Sequence, residues 1–285
     1  MKIVDTHVHV WNLSRAPYPW LEGDTSILNR TWTIDELAPV REAAGVTHGV
    51  LVQASGCLED TELMLETARE TPWVHGVVAW LPLTDIRSTT VLLEEQFLHE
   101  PYFKGIRHQI HDERDPRWLL QPAVIESLRL LARYDIPYDL VGILPEHLET
   151  ALAVAEKVPG LRMVFDHLNQ PPISEKRLSG RWHELMREAA GHPGCYAKIS
   201  GLGTASGNFA GRTAEDILPY VAYALEHFGA ERCFCGGDWP VSMLADDYAG
   251  TWQTTRSIIS RLCGREDQEK IFHENATRFY RLTTI

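Results

Sequence analysis

The sequence predicts an α/β protein in which eight strand–helix units close into a single (β/α)8 barrel over residues 1–285. Short runs of β-branched and apolar residues recur along the chain, and each is followed by a longer stretch with helical periodicity. This alternation implies parallel strands with right-handed crossovers. The length agrees, because α/β barrels commonly take about 250 residues as one domain. An open sheet built from the same units is the alternative.

Eight segments have the composition of buried strands. In chain order the predicted strands are Ile3–Val10, His48–Gln53, His75–Leu81, Phe103–Ile110, Ile136–Val141, Leu161–His167, Cys195–Ser200 and Arg232–Gly237.

Helical periodicity fills most of the intervals between these strands. Apolar residues recur three and four apart, as in Val124, Leu128 and Leu131. The predicted helices include Glu59–Thr71, Ser88–His99, Pro122–Tyr134, Glu146–Lys157, Arg181–Ala190 and Ala214–Phe228. The first crossover, residues 11–46, is long and rich in Pro and Trp, and we interpret it as a loop that covers the barrel mouth.

Charge and cysteine content exclude several classes of protein. The 27 Lys and Arg against 39 Asp and Glu give a net charge of −12, and a surface of that sign repels nucleic acids and anionic membranes. Five cysteines, an odd number, argue against a disulfide framework and for a reducing compartment. Since neither a charged leader nor a long apolar run precedes the first strand, we expect a cytoplasmic protein. A homo-oligomer stays open.

In a barrel of this kind the chemistry belongs at the carboxyl ends of the strands. The first predicted strand carries His7 and His9, and residues two apart share a strand face, so both rings should point into the barrel with Asp5 below them. Two adjacent imidazoles suit a divalent metal or the polarisation of a carbonyl. Two outward-facing histidines are the alternative.

Two other strands end in groups with acid, base or ligand chemistry. His167 follows the apolar run of the sixth strand, where a core histidine is the alternative; Asp166 should then face away from the barrel interior. Asp238 follows Gly236 and Gly237, which allow a substrate close to the backbone. Its carboxylate is a candidate metal ligand, general base or turn cap.

The fourth strand ends in Arg107, His108 and Gln109. Alternation lets Arg107 with Gln109, or else His108, point into the barrel. Arg107 can hold a carboxylate or a developing oxyanion, and an ion pair with nearby acids is the alternative. Weaker inward candidates are Tyr138, Asp139, Lys198 and Ser200.

Taken together, these motifs resemble the amidohydrolase superfamily. H-x-H at 7–9, D-H-L at 166–168 and G-G-D-W-P-V at 236–241 carry the resemblance, and they point more narrowly to its sugar-lactone and 2-pyrone-4,6-dicarboxylate lactonase branch. G-I-R-H-Q at 105–109, Y-D-L-V at 138–141 and K-I-S-G-L at 198–202 match the same branch. The resemblance implies a distorted TIM barrel whose catalytic centre consists of His7, His9, His167 and Asp238.

The same resemblance bears on the metal. Binuclear members usually carry a bridging lysine on the fourth strand and a histidine on the fifth, whereas this sequence has Arg107–His108 and Tyr138–Asp139 there. A binuclear centre is therefore disfavoured. One Zn²⁺ held by His7, His9 and Asp238, with or without His167, suits the donor types. Some members of the branch work without metal, so the sequence leaves both possibilities open.

The activity that the resemblance implies is hydrolysis of a small-molecule sugar-acid lactone. The histidine pair would polarise the carbonyl, while Asp238 takes a proton from water and returns it to the ring oxygen. A dicarboxylate would need at least two cations, so an aldonolactone such as L-fucono-, L-galactono- or L-rhamnono-lactone is favoured. A pyrone-dicarboxylate lactonase, a metal-dependent decarboxylase and a non-catalytic sugar-binding barrel are the alternatives. Predicted substrate contacts are Trp11, Arg107, His108, Gln109, Tyr138, Asn169 and Trp239.

Overall fold

A computed structural model describes residues 1–207 and 209–282; Asn208 and residues 283–285, which the predicted domain includes, lie outside the description. Within it, eight parallel strands follow one another in chain order in one sheet. His9 N donates to Trp239 O at 2.8 Å, which joins the two edges of the sheet. The predicted barrel is confirmed. Its strands are β1 (Val4–Val8), β2 (His48–Val52), β3 (Val74–Ala79), β4 (Phe103–His108), β5 (Tyr138–Leu140), β6 (Met163–Phe165), β7 (Cys195–Ile199) and β8 (Cys233–Cys235).

Helices cover the outside of the barrel. Val124, Leu128 and Leu131 of one helix are fully buried, as their spacing predicts. In residues 1–207 and 209–282 we find no helix with the length and apolar character that crossing a membrane requires. The α-helices described are α1 (Ile34–Ala43), α2 (Leu58–Glu70), α3 (Ile86–Glu95), α4 (Pro122–Arg133), α5 (Pro145–Lys157), α6 (Arg181–Ala190), α7 (Ala214–Phe228), α8 (Tyr248–Leu262), α9 (Arg265–Glu269) and α10 (Asn275–Phe279).

The first crossover is only partly a loop. It contains α1, whose amino end is closed by a capping box between Thr33 and Glu36. The helix buries Leu37 and Arg41 and has an interior proline, Pro39, so its apolar stripe is too weak to stand out from the surrounding sequence. The interpretation of residues 11–46 as loop throughout is therefore wrong for α1.

The barrel interior is apolar at its amino end. Val50, Val164 and Phe234 pack there against Phe279 and Tyr280, which come from the carboxyl end of the chain. This packing closes the amino end of the barrel. Polar interior side chains are consequently gathered towards the carboxyl ends of the strands, where βα loops meet.

Candidate active site

The two histidines of the first strand lie together inside the barrel. Their Nε2 atoms are 3.1 Å apart, and both side chains are buried. Asp5, however, does not lie below them. The pairing of β1 with β2 is irregular between Asp5 and Val8, which breaks the strict alternation of side chains. Asp5 points outwards instead, and its Oδ2 accepts a hydrogen bond from the Tyr248 hydroxyl on α8 at 2.7 Å.

A backbone carbonyl orients the ring of His9. Its Nδ1 lies 2.7 Å from Val52 O. Because a carbonyl oxygen only accepts, the ring proton belongs on Nδ1, and the lone pair of Nε2 faces His7 and Asp238. Histidines that ligate metals are commonly held in this way.

His167 lies in a left-handed turn just beyond β6. From His167 to Gln170 the φ angles are between 50° and 55°. Because this backbone is not extended, Asp166 and His167 both point into the barrel, and the expectation that Asp166 faces away is wrong. Ser200 Oγ, at the end of β7, lies 2.9 Å from His167 Nδ1 and orients the ring.

Asp238 completes the group from the end of β8. Its φ angle is 57°, a conformation that non-glycine residues rarely adopt, and its amide holds the backbone by donating to His7 O at 2.7 Å. Its Oδ1 lies 3.7 Å from His7 Nε2, 3.6 Å from His9 Nε2 and 3.9 Å from His167 Nε2. The four residues predicted as the catalytic centre thus meet around one carboxylate oxygen.

The protonation states follow from this geometry. Burial raises the pKa of Asp238, but His167, His9 and His7 together lower it by more than burial raises it, so the pKa is about 2. Burial lowers the pKa of His7 far below its ordinary value, although Asp166 opposes that shift, and it also lowers the pKa of His167. At neutral pH the site therefore holds the ionised carboxylate of Asp238 beside the neutral imidazoles of His7 and His167.

Four buried charges surround the His7 ring. Lys198 Nζ donates to Asp139 Oδ2 at 2.5 Å and lies 2.7 Å from Asp166 Oδ1. Arg107 Nη1 donates to Asp166 Oδ2 at 3.2 Å and lies 3.3 Å from His7 Nε2. Two cations thus balance two carboxylates, which buried charges require.

The donor set matches a single divalent metal ion. Atoms of His7, His167 and Asp238 that could bind a metal lie within 4.8 Å of one another. His9 Nε2 faces the same point, with its ring oriented by a carbonyl. Zn²⁺ commonly binds imidazole nitrogens and carboxylate oxygens, and it commonly has four ligands. Three imidazoles and one carboxylate meet both conditions.

A cavity of about 210 Å³ opens above the carboxylate and its histidines. As alternation predicts, Arg107 and Gln109 face it together from β4 and the residue after it. Gln53 Nε2 donates to Gln109 Oε1 at 3.1 Å and orients that amide. The cavity is lined by His9, Trp20, Ala54, Arg107, Gln109, His111, Val141, Ile143, His167, Gln170, Thr204, Asp238 and Val241.

His108 and Tyr138, both predicted substrate contacts, do not reach this cavity. His108 lies on the opposite face of β4 from Arg107, where its ring stacks on Trp118 at 4.0 Å and contacts Glu113 at 2.7 Å. Tyr138 pairs with Ile106 in the register of β4 and β5 and is buried outside the barrel interior. Alternation along β4 and β5 explains both placements.

Trp11, Trp239 and Asn169 are also buried away from the cavity. Trp11 Nε1 donates to Arg30 O, and Trp239 packs edge-on against Trp32 at 5.3 Å. Both tryptophans therefore serve as packing for the first crossover. Asn169 is 2% exposed and does not line the cavity.

Sequence reasoning missed other lining residues. Trp20, in the first crossover, donates from Nε1 to Ala54 O at 2.8 Å and forms one wall. His111, two residues beyond Gln109, and Thr204, after β7, complete the rim. The tryptophan content of the crossover indicated a cover for the barrel mouth, but the choice of Trp20 over Trp11 depends on tertiary packing.

Comparison with known proteins agrees with this geometry. The sequence profile of the amidohydrolase family matches residues 4–282. The L-fucono-1,5-lactonase of Burkholderia ambifaria is 33% identical over 98% of this chain and 95% of its own length. The L-fucono-1,5-lactonase of Burkholderia multivorans is 29% identical over 86% of this chain and 84% of its own.

A solved structure is similar along its whole length. The crystal structure of an amidohydrolase from Burkholderia multivorans with bound zinc has a TM-score of 0.89 and 26% identity, covering 99% of this chain and 100% of that one. With a family profile that spans nearly the whole sequence, this chain belongs to the amidohydrolase family.

Proposed function

We propose that this protein is a lactonase that opens a sugar-acid lactone, an aldonolactone of the L-fucono-1,5-lactone kind, by adding water to the ester carbonyl. The observation that carries the proposal is the meeting of His7, His9 and His167 around the Asp238 carboxylate at the floor of the cavity. The identity to an L-fucono-1,5-lactonase over nearly the full length of both chains supports the same substrate class.

The cavity favours a small and uncharged substrate. Pockets for drug-sized ligands measure about 300–1,000 Å³, so a cavity of about 210 Å³ suits a ligand the size of one sugar ring. Among the described lining residues Arg107 is the single permanent cation, since burial lowers the pKa of His111 to about 4. Arg107 is already paired with Asp166. A dicarboxylate would lack the second cation that it needs.

The residues divide the reaction between them. Arg107 lies beside the place where the lactone carbonyl oxygen gains negative charge, and its guanidinium can stabilise that oxygen as a donor. His7 and His9 direct their Nε2 lone pairs to the same place, where they would hold a metal ion. Asp238 is ionised at neutral pH, so it can accept the proton of the attacking water and later release it to the ring oxygen as the ester C–O bond breaks. Water is consumed, and one hydroxy acid is formed.

A divalent metal ion would fit among these residues and assist the reaction. Held by His7, His9, His167 and Asp238, a divalent ion would supply Lewis acidity towards the carbonyl and lower the pKa of the water. Ser200 orients His167, and the Val52 carbonyl orients His9.

A pH-indicator assay over a stereochemical panel of aldonolactones, with 2-pyrone-4,6-dicarboxylate included, tests the proposal. We expect acid release from one or a few six-carbon lactones and none from the dicarboxylate. The same assay after chelation, followed by added Zn²⁺, measures the metal requirement: loss and recovery of activity indicate a metal enzyme, and unchanged activity indicates metal-independent hydrolysis. Folded protein that opens no lactone under either condition contradicts the proposal.

A further inference from the structure

A line of buried polar contacts runs from the closed end of the barrel to the candidate active site. The Tyr280 hydroxyl, beyond α10, donates to Asp139 Oδ2 at 2.6 Å, and Lys198 Nζ donates to the same oxygen. Lys198 Nζ then lies 2.7 Å from Asp166 Oδ1 and 3.3 Å from His7 Nδ1. Every member of this line is at most 1% exposed.

Charges in this position need an explanation beyond stability. A buried cation and its carboxylates lose their hydration, and well-packed apolar residues of the same volume are often at least as stable. The layer next to it in the same barrel is built in that apolar way, from Val50, Val164 and Phe234. The change from apolar to charged residues occurs directly beneath His7.

The contacts at His7 show what the charges do. Asp166 Oδ1 and Lys198 Nζ face the Nδ1 side of the ring, at 3.5 Å and 3.3 Å. Nε2 faces His9 and Asp238 and lies 3.3 Å from Arg107 Nη1. A ring held on one nitrogen by fixed charges cannot rotate freely. Its other nitrogen therefore keeps its direction towards the reacting atoms.

We infer that Lys198 is a positioning residue, fixed by Asp139 and Tyr280, that holds the His7 ring in its catalytic orientation directly and through Asp166. The inference rests on the proposed lactonase function, which it deepens. Tyr280 then affects catalysis from the opposite end of the barrel, through Asp139 and Lys198, without touching the substrate.

Two substitutions test the inference. Lys198→Met keeps the length of the side chain and removes its charge, whereas Tyr280→Phe keeps the ring packing and removes one donor to Asp139. We expect kcat to fall about 10- to 100-fold for Lys198→Met and about three-fold or more for Tyr280→Phe. The KM for the lactone should stay within about two-fold, because neither residue lines the cavity.

Tyr220→Phe is the matched control. Tyr220 on α7 is 1% exposed, and its hydroxyl lies 2.9 Å from both Pro172 O and Arg177 O, either of which can accept its proton, away from the line of contacts. It should lose comparable stability, measured by thermal melting, with unchanged kcat. If Tyr280→Phe has the same kcat as this control, or if KM rises as kcat falls, the inference is overturned. Should Lys198→Met fail to fold, Tyr280→Phe decides alone.

A readout without substrate separates this inference from the proposed function. Long-range ¹H–¹⁵N NMR reports the ring nitrogens of His7, assigned by their loss in His7→Gln. Their signals should shift in Lys198→Met and Tyr280→Phe and stay in place in Tyr220→Phe. If the wild type opens no lactone, the proposed function fails, and these shifts still test the positioning; unchanged shifts overturn it.

Discussion

Three imidazoles surround the carboxylate of Asp238, the candidate general base. Replacing it with Asn preserves the size of the side chain but removes the proton acceptor, so we expect kcat to fall about 100-fold or more while KM changes little. Steady-state kinetics on the lactone identified by the panel measure the effect. Asp35→Asn, at an exposed position in the first turn of α1, is the control. A variant that keeps more than about a tenth of wild-type kcat would show that another group takes the proton.

Gly201 leaves room for the catalytic side chains. A Cβ at this position would lie 2.5 Å from His167 Nδ1 and 2.6 Å from Asp238 Oδ2. Gly201→Ala should therefore displace both groups, and displacements near 1 Å cost about 100-fold in rate. We expect that loss in kcat, with the thermal midpoint lowered only moderately.

Gly207 provides a control in the same loop. Its φ of +61° is close to the +57° of Gly201, but its Cβ would meet no atom within 4 Å among the residues that the structure describes. The two alanine variants thus share the strain of a left-handed backbone, roughly 1–2 kcal/mol, and differ in the collision. Equal activity in the two variants would mean that backbone strain, not displacement of His167 and Asp238, explains the loss.

At the scale of single elements, the alternation of side chains along a strand predicted which residues face the site wherever the strand is regular. It placed Arg107 and Gln109 on one face of β4, which the structure confirms, and it explains why His108 lies on the other. It failed for Asp5, because β1 has an irregular register. It failed at the end of β6 because Asp166 follows Val164 into the barrel and the left-handed turn brings His167 in as well. No glycine occurs from His167 to Gln170, so the sequence lacks the strongest local signal for that turn.

The first crossover contains a sequence signal for a helix start, but its weak apolar periodicity outweighs that signal. Thr33 and Glu36 have the spacing of a capping box, which marks the start of α1. Its single buried apolar residue, Leu37, provides almost no periodicity, so the pattern of apolar residues predicts a loop here. The same crossover nevertheless delivers Trp20 to the cavity, in agreement with its interpretation as a cover.

Trp20 offers a test of that cover. Trp20→Ala should raise KM about three- to ten-fold, because it removes an aromatic wall worth ~1 kcal/mol in contact with a sugar ring. Trp20→Phe should recover most of the affinity. Trp73→Ala, which removes a half-buried tryptophan that packs on Arg41 and Gly49 away from the cavity, is the control. If both alanine variants raise KM equally, the effect comes from stability and not from the cavity wall.

For the whole molecule, size alone predicted the exposed area closely. A folded chain of 32.3 kDa should expose about 12,000 Å², and this one exposes 11,928 Å². Such agreement is independent of any motif, since area scales with mass in compact proteins. By contrast, predicting which way an individual side chain points requires the register of its strand, and only the folded chain defines that register.

We expect a histidine cluster at the amino end of the barrel to lower the stability of the folded protein in acid. The rings of His48 and His75 lie there at a tilt, with centroids 4.9 Å apart, and the ring centroid of His273 is 6.3 Å from that of His48. Burial first, and then these two neighbours, lower the pKa of His48 to about 4. In the unfolded chain the pKa is near 6.5. Below pH 6.5 the unfolded state therefore binds a proton that the folded state resists, and stability falls as the pH drops from 6.5 to 4.

Buried carboxyls act in the opposite direction, so the test has to isolate His48. Burial raises the pKa values of Asp5 and Asp60 to about 6, which favours the folded state as the pH falls through 6. The readout is thus the difference between His48→Gln and wild type in thermal midpoint from pH 7.5 to 4. We expect His48→Gln to lose less stability on acidification, and His99→Gln, at an exposed position, to follow wild type. Parallel curves for His48→Gln and wild type would show that His48 does not cause the sensitivity, because a group that does not titrate differently in the two states cannot change the slope.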